Sequence, residues 1–159
     1  MEIADLLTPD RVILDVRCRD KSQLIGEVAR IVARLVPTLT PKSVETALLA
    51  REQLGSTGLG AGFALPHARI DGLNAYLGLF VRLAKPLDFE AIDGKPVRLV
   101  FVLLIPAETT VSHVAALAPI SRRFRESGFA TKLLKAESPA VAYGFLTDRQ
   151  IPAGTAPQS

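Results

Sequence analysis

The chain has 159 residues, 48% of them hydrophobic, with 19 basic and 16 acidic side chains and a net charge of +3. That length suits one domain with a sizeable core. The charge is too small, with no basic stripe interleaved with aromatics, to indicate nucleic-acid binding. No run reaches the roughly 18–20 apolar residues of a membrane helix, so no membrane insertion is expected. No basic-then-apolar leader is visible at the N-terminus. The single cysteine, Cys18, excludes an internal disulfide and fits a reducing, cytoplasmic location. It reads as a small, partly buried residue near a strand end.

In chain order, Ile3, Leu6 and Leu7 precede Thr8-Pro9-Asp10 and read as a short helical turn and a break. Val12 to Val16 is a strand rich in β-branched residues. Asp20 caps a helix, with Gln23 completing a capping-box pattern. Leu24, Ile25, Val28, Ile31, Val32 and Leu35 then recur at helical spacing before Pro37. A second helix opens at Thr40 with Pro41 in its first position, turns Val44, Ala47 and Leu48 inward, and stops near Gly55. Arg51 therefore lies on its last turn, directed at the stretch that follows.

That stretch, Arg51 to His67, reads R-E-Q-L-G-S-T-G-L-G-A-G-F-A-L-P-H. Gly55, Gly58, Gly60 and Gly62, with Ser56 and Thr57 among them, can present several backbone N–H groups to an anion. It lacks the lysine of a P-loop and the third glycine of a dinucleotide fingerprint. Pro66 fixes the backbone before His67 and biases Leu65 to an extended conformation. The result is an imidazole on a stiff corner beside an anion-friendly loop. Imidazole, with an ordinary pKa of about 6.5, suits the exchange of a proton or phosphoryl group near neutral pH. The chain has two histidines, His67 and His113, each shortly after an apolar strand and a proline. With one cysteine, all far apart in sequence, they show no metal-ligand spacing.

After an Asp71-Gly72 turn, Tyr76 to Leu83 reads as a strand. Pro86 to Gly94 holds two turns flanking Phe89, and Asp93-Gly94 suits a tight hairpin. Val97 to Leu104 is a continuous apolar run, the mark of a central strand covered on both faces, and ends at Pro106. A helix from about Ser112 to Glu126 is stopped by Gly128; Pro119 inside it should kink it at a cost of about 3 kcal/mol. Arg122-Arg123-Phe124-Arg125 reads as its exposed face with Phe124 inward, or else as a docking face for an acidic partner. A helix from Phe129 to Ala136 follows. The last helix has Ser138 as N-cap, Pro139 in its first position, and carries Val141, Phe145 and Leu146. Residues 1–149 read as one domain without repeat or linker, and 150–159, rich in Pro, Gly, Ala and Ser, as a disordered tail. The alternation of strands and helices implies an α/β three-layer sandwich, a small mixed sheet with helices on both faces.

The run from Arg51 to His67 resembles the active-site signature of the EIIA domains of the bacterial phosphotransferase system, of the fructose, mannitol and nitrogen-regulatory type. A second block agrees: Pro86-Leu87-Asp88-Phe89, Ala91-Ile92-Asp93-Gly94, Val97 to Leu104, then Pro106-Ala107-Glu108-Thr109 and His113. The likeness covers roughly residues 10 to 147 and is greatest to the nitrogen-regulatory branch, through the G-S-T-G loop and the P-A-E-x-T-x-x-H run. It implies the same α/β fold. It also implies a regulatory protein phosphorylated at Nε2 of His67 by a small phosphocarrier of the HPr type, acting on unidentified protein targets. His113 would donate a hydrogen bond to the phosphoryl group, and Glu108 could orient His113 or only enrich the acidic side of that helix start. Arg51, the N–H groups of Gly55, Gly58 and Gly60, and the hydroxyls of Ser56 and Thr57 are candidate phosphate donors. Phosphoryl transfer needs alignment and charge stabilisation more than covalent chemistry, so neither metal nor cofactor is expected. One departure is Ala68, where relatives often have glycine; alanine is small enough for a partner's approach. A sugar-transporting EIIA that passes phosphate to an EIIB cysteine is the alternative. A binding module without the chemistry is a further one, disfavoured by the presence of Arg51, His67 and His113.

Overall fold

A computed structural model describes residues 1–109 and 113–148. Two short 3₁₀ turns, Ile3–Asp5 and Pro9–Arg11, lead into β1 (Val12–Val16), and the expected break at Thr8-Pro9 is the second of these turns. Then come α1 (Lys21–Leu35), α2 (Pro41–Leu54), β2 (Gly58–Gly60), β3 (Phe63–Ala64), β4 (His67–Ile70), β5 (Leu77–Leu87) and β6 (Val97–Pro106). Helices α3 (Val114–Phe124), α4 (Phe129–Lys135) and α5 (Pro139–Thr147) complete the described chain. The helix starts follow from their caps. Asp20 accepts the N–H of Gln23, Thr40 that of Ser43, and Ser138 that of Val141. The reciprocal bond at α1 differs from the expected box, because the Gln23 side chain accepts the N–H of Arg19, one residue before the cap.

The strands form one six-stranded mixed sheet in the order β1-β5-β6-β3-β2, with β4 also paired to β6. Strand β6 is antiparallel to β5 and parallel to β3 and β4, which follow one another along its other side. Its side chains alternate between two apolar layers. Val100, Val102 and Leu104 face a core shared with Leu24, Ile25, Val28 and Val32 of α1 and Val44 and Leu48 of α2. Leu99, Phe101, Leu103 and Ile105 face the other, shared with Ala116, Ile120 and Phe124 of α3, Leu133 of α4 and Leu146 of α5. The three-layer sandwich is thus present. On α5 the apolar pattern is met by Leu146, with Phe145 partly buried, whereas Val141 is 44% exposed and Ala142 takes the inward place.

Two local expectations change. Strand β5 runs on to Leu87, past the predicted end at Leu83, and Pro86 lies in its irregular stretch between Arg82 and Leu87, where no ladder N–H is required. Asp93-Gly94 closes no two-residue hairpin. The β5–β6 connection spans 88–96 because Phe89 is fully buried and draws the chain into the α1–α2 core; a single turn from Ala91 to Gly94 then reverses it. Helix α3 holds Pro119 in its interior, as expected, and ends at Phe124. Its predicted start at Ser112, like the predicted tail at 150–159, lies outside the described residues. The arginine cluster divides: Arg122 and Arg125 are exposed, Arg123 pairs with Glu126 at 2.7 Å, and Phe124 is buried.

Arg82 on β5 is a buried cation that pattern reading passes over, at 7% exposure. Its Nη1 donates to the carbonyls of Leu133 at 3.0 Å, which also accepts the N–H of Ala136, and of Ala136 at 2.7 Å, at the C-terminal end of α4. Its Nη2 meets Asp15 at 3.1 Å. Removing Arg82 takes a buried charged donor from the end of α4, where the Ala136 carbonyl loses its 2.7 Å bond, whereas Asp15 keeps access to water with its side chain 62% exposed. Arg82→Ala is therefore expected to destabilise by about 2–4 kcal/mol, and Asp15→Ala by about 1 kcal/mol or less. Urea denaturation of the two variants checks this; equal losses would place the stabilisation in the ion pair rather than in the α4 carbonyls.

Candidate functional site

The glycine stretch is more ordered than an open loop. Gly55 ends α2, its N–H donating to the Glu52 carbonyl at 3.2 Å. Strand β2 then pairs antiparallel with β3 across a turn in which Gly60, Ala61 and Gly62 all have positive φ, of 96°, 55° and 80°. Glycine at positions 60 and 62 removes the steric cost of that conformation. Gly58 is required for a different reason: a Cβ there would lie 2.8 Å from Cβ of Ala91. The β5–β6 connection thus packs directly on the glycine stretch.

Past Pro66, His67 opens β4, opposite Leu103 of β6. The Pro66 carbonyl accepts the N–H of Leu103 at 2.9 Å, so the corner is tied to the central strand. Nδ1 of His67 lies 2.8 Å from the Leu65 carbonyl oxygen. A carbonyl can only accept, so Nδ1 carries the proton and Nε2 keeps its lone pair. His113, at the N-cap of α3, sets its ring 6.1 Å from that of His67, centroid to centroid, at 39°. The buried Nδ1 of His113 has no hydrogen-bond partner among the described residues. Glu108 is exposed and so does not orient His113 through that atom. Arg51 donates from Nη1 to the Gly55 carbonyl at 2.9 Å, which holds it at the end of α2 beside the glycine stretch.

The electrostatics favour a neutral nucleophile. Half-burial of the ring pushes the pKa of His67 below its ordinary value; the charges of Arg51 and His113 add to this, and the bond to Leu65 and the charge of Glu52 oppose it. A neutral imidazole with an exposed lone pair on Nε2 can attack phosphorus. An arginine and a second imidazole nearby can meet the charge that arrives.

Of the predicted residues, the structure brings His67, His113 and Arg51 together with the glycine stretch. It gives several of the proposed phosphate donors other partners. Thr57 is buried, and both its N–H and its hydroxyl donate to Glu52. The Ser56 hydroxyl donates to the Phe89 carbonyl, and the Gly58 N–H to Ser56 Oγ at 3.0 Å. Ala61 N–H donates to Asp93 at 2.8 Å, and this bond, with one from Lys95 N–H, holds the Asp93 carboxyl below the usual carboxylate range. The sequence reading gives Glu52 and Lys21 no role in the site and Asp93 only a place in a turn. Glu52 carried a usable signal, since it continues the buried stripe of Val44 and Leu48 at four-residue spacing. Cys18 is half-buried, and burial raises its thiol pKa, as suits a packing residue more than a reactive one.

Residues 5–148 match the family model described as phosphoenolpyruvate-dependent sugar phosphotransferase system, EIIA 2. The chain is 38% identical over 146 residues to the nitrogen regulatory protein of Bradyrhizobium diazoefficiens, covering 92% of this chain and 95% of that one. To the nitrogen regulatory protein of Pseudomonas aeruginosa it is 34% identical over 150 residues, covering 94% and 97%. The crystal structure of nitrogen regulatory protein IIA-Ntr from Neisseria meningitidis matches with a TM-score of 0.85 and 35% identity, over 91% of this chain and 99% of that one. The chain belongs to the EIIA type 2 family of the phosphotransferase system. It is a phosphotransfer component, and its likeness runs to the nitrogen regulatory proteins of that family. Among the described residues no helix is long and apolar enough to cross a membrane.

The lowered pKa of His67 has a pH signature. The unfolded chain takes up the histidine proton at about pH 6.5, and the folded chain only at lower pH. Stability is therefore unaffected by this group above pH 6.5 and falls as pH drops below it. A proton-carbon titration should place the His67 midpoint below 6.5, and His67→Ala should flatten the loss of stability between pH 6.5 and 5. A midpoint at or above 6.5 would remove the argument for a neutral nucleophile.

Proposed function

We propose that this chain is a phosphoryl-accepting regulator of the nitrogen branch of the phosphotransferase system. His67 is its acceptor, and an HPr-like phosphocarrier, of the kind called NPr in that branch, is its donor. The observation that carries the reading is the 2.8 Å bond from Nδ1 of His67 to Leu65, which leaves Nε2 as the only ring lone pair. In the transfer, Nε2 of His67 forms a bond to phosphorus as the bond from phosphorus to the donor's histidine nitrogen breaks. The proton stays on Nδ1 of His67, hydrogen-bonded to the Leu65 carbonyl, which supports the charge of the phosphorylated ring. Arg51 and His113 meet the phosphoryl oxygens, which protein groups can hold without a metal. Gly60 remains a candidate backbone donor, whereas the Gly55 N–H is held by the Glu52 carbonyl. The hydroxyls of Ser56 and Thr57, directed at Phe89 and Glu52, serve to shape the stretch.

The added charge at the His67 face is the signal. Like-charge juxtaposition in an interface costs several kcal/mol, so a target can be switched without refolding of the regulator. A cytoplasmic setting is part of this reading, because the donor relay works there. The breadth of the family, whose description names sugar systems, favours one alternative, an EIIA that hands phosphoryl to an EIIB domain. Incubation with phosphoenolpyruvate, the first enzyme of each relay and its phosphocarrier separates the two: faster uptake from the sugar phosphocarrier, with onward transfer to an EIIB cysteine, would select the alternative.

His67→Ala is expected to abolish uptake, read as the loss of one acid-labile phosphoryl mass, with the fold retained. Phosphorylation of that variant at another histidine would displace the assignment. For Arg51→Ala the transfer rate should fall by roughly 10- to 150-fold, the equivalent of about 1.5–3 kcal/mol for a charge-assisted bond, with little change in melting temperature. Equal rates in a stopped-flow assay would return Arg51 to a surface role.

A further inference from the structure

Glu52 is a carboxylate buried on the last turn of α2, its side chain 4% exposed. Two forces act against it there. Burial of a charge is costly unless it is paired. The C-terminal end of a helix also carries partial negative charge, which repels an anion. Helix energetics thus do not account for the residue; what it holds does. One oxygen accepts from Lys21 Nζ at 3.0 Å and from the Thr57 N–H at 3.0 Å, and the other accepts the Thr57 hydroxyl.

From Thr57 the bonds lead on to the acceptor. The Thr57 carbonyl takes the N–H of Leu65 at 2.9 Å, and the Leu65 carbonyl takes Nδ1–H of His67 at 2.8 Å. Leu65 lies between β3 and Pro66, so its N–H bond is the pin on the side away from β6. Lys21 neutralises Glu52 and also reaches the Phe89 carbonyl at 3.3 Å, the oxygen that the Ser56 hydroxyl also uses. Lys21 thus offsets the charge of Glu52 while also lying 3.6 Å from the exposed Glu90 carboxylate.

We propose that Glu52 is a positioning residue for His67, acting through Thr57 and Leu65 to hold the imidazole in the Nδ1–H form with Nε2 aimed outward. This rests on the reading of His67 as phosphoryl acceptor. Its consequence is specific: loss of Glu52 impairs the orientation of the nucleophile and leaves donor docking intact, so kcat falls while KM holds.

The test uses the full chain with Glu52→Ala, Glu52→Gln and Thr57→Val, each checked for folding by thermal melting. Imidazole nitrogen shifts report the tautomer without any transfer reaction, and steady-state transfer from the phosphocarrier reports kcat and KM. Wild type should show a single Nδ1–H tautomer. Glu52→Ala should show exchange between tautomers, with kcat down roughly ten- to a hundredfold and KM within about twofold. Glu52→Gln should lie between, since an amide oxygen still accepts the Thr57 N–H. A wild-type tautomer in Glu52→Ala overturns the proposal, whatever happens to kcat, because the effect would then not pass through His67. Should Glu52→Ala fail to fold, the other two variants decide: unchanged tautomer and kcat in both overturn it. Failure of the reading beneath it looks different, since wild type would then take up no phosphoryl group while the tautomer comparison still stands.

Discussion

The pairing of β6 with its neighbours is the constraint on which the site depends. On one side β6 meets β5 in an antiparallel ladder; on the other it meets β3 and then β4 in parallel. Its burial on both faces leaves no freedom of register, since a one-residue slip would exchange the two apolar layers. The parallel pairing sets His67 opposite Leu103 near the carboxyl end of β6. The same end leads through Pro106 towards α3, whose N-cap is His113. Two histidines distant in sequence thus meet because both follow from one strand.

The glycine stretch is held by its surroundings rather than by its own flexibility. α2 supplies Arg51 and Glu52, α1 supplies Lys21, and the β5–β6 connection supplies the Phe89 carbonyl and Asp93. Each contact removes a conformation that a run of glycines would otherwise sample, and ordering such a run is entropically costly. The ordering therefore has to be built into the fold before the phosphoryl group arrives. A preorganised site then needs little rearrangement during transfer.

This arrangement changes the accounting of donors. A sequence that places Ser, Thr and several glycines before a histidine suggests a cradle of free N–H groups and hydroxyls. In the folded chain the Thr57 and Gly58 N–H groups and both hydroxyls already have partners. Charge near the acceptor comes chiefly from Arg51 and His113, the two groups whose fields also help keep the His67 ring neutral. The site thus separates two tasks, with internal hydrogen bonds fixing shape and a few cationic or imidazole donors meeting charge.

Caps, periodicity and apolar runs were readable in the chain because they are local. Asp20, Thr40 and Ser138 start their helices, and Val97 to Leu104 reads as a central strand, for reasons contained within a few residues. The motif from Arg51 to His67 likewise marked the stiff corner at His67, since proline and glycine act on their own backbone. What could not be read was anything that depends on distant partners. The long β5–β6 connection follows from burial of Phe89 against helices far earlier in the chain, and Arg82 finds its carbonyls on α4, some 50 residues onward. The roles of Glu52 and Thr57 belong to the same class. The sequence by itself determined the elements and the corner on which His67 sits. Only the tertiary structure decided which donors near it are free, because a hydrogen bond's partner is chosen by proximity in space, which local propensity does not encode.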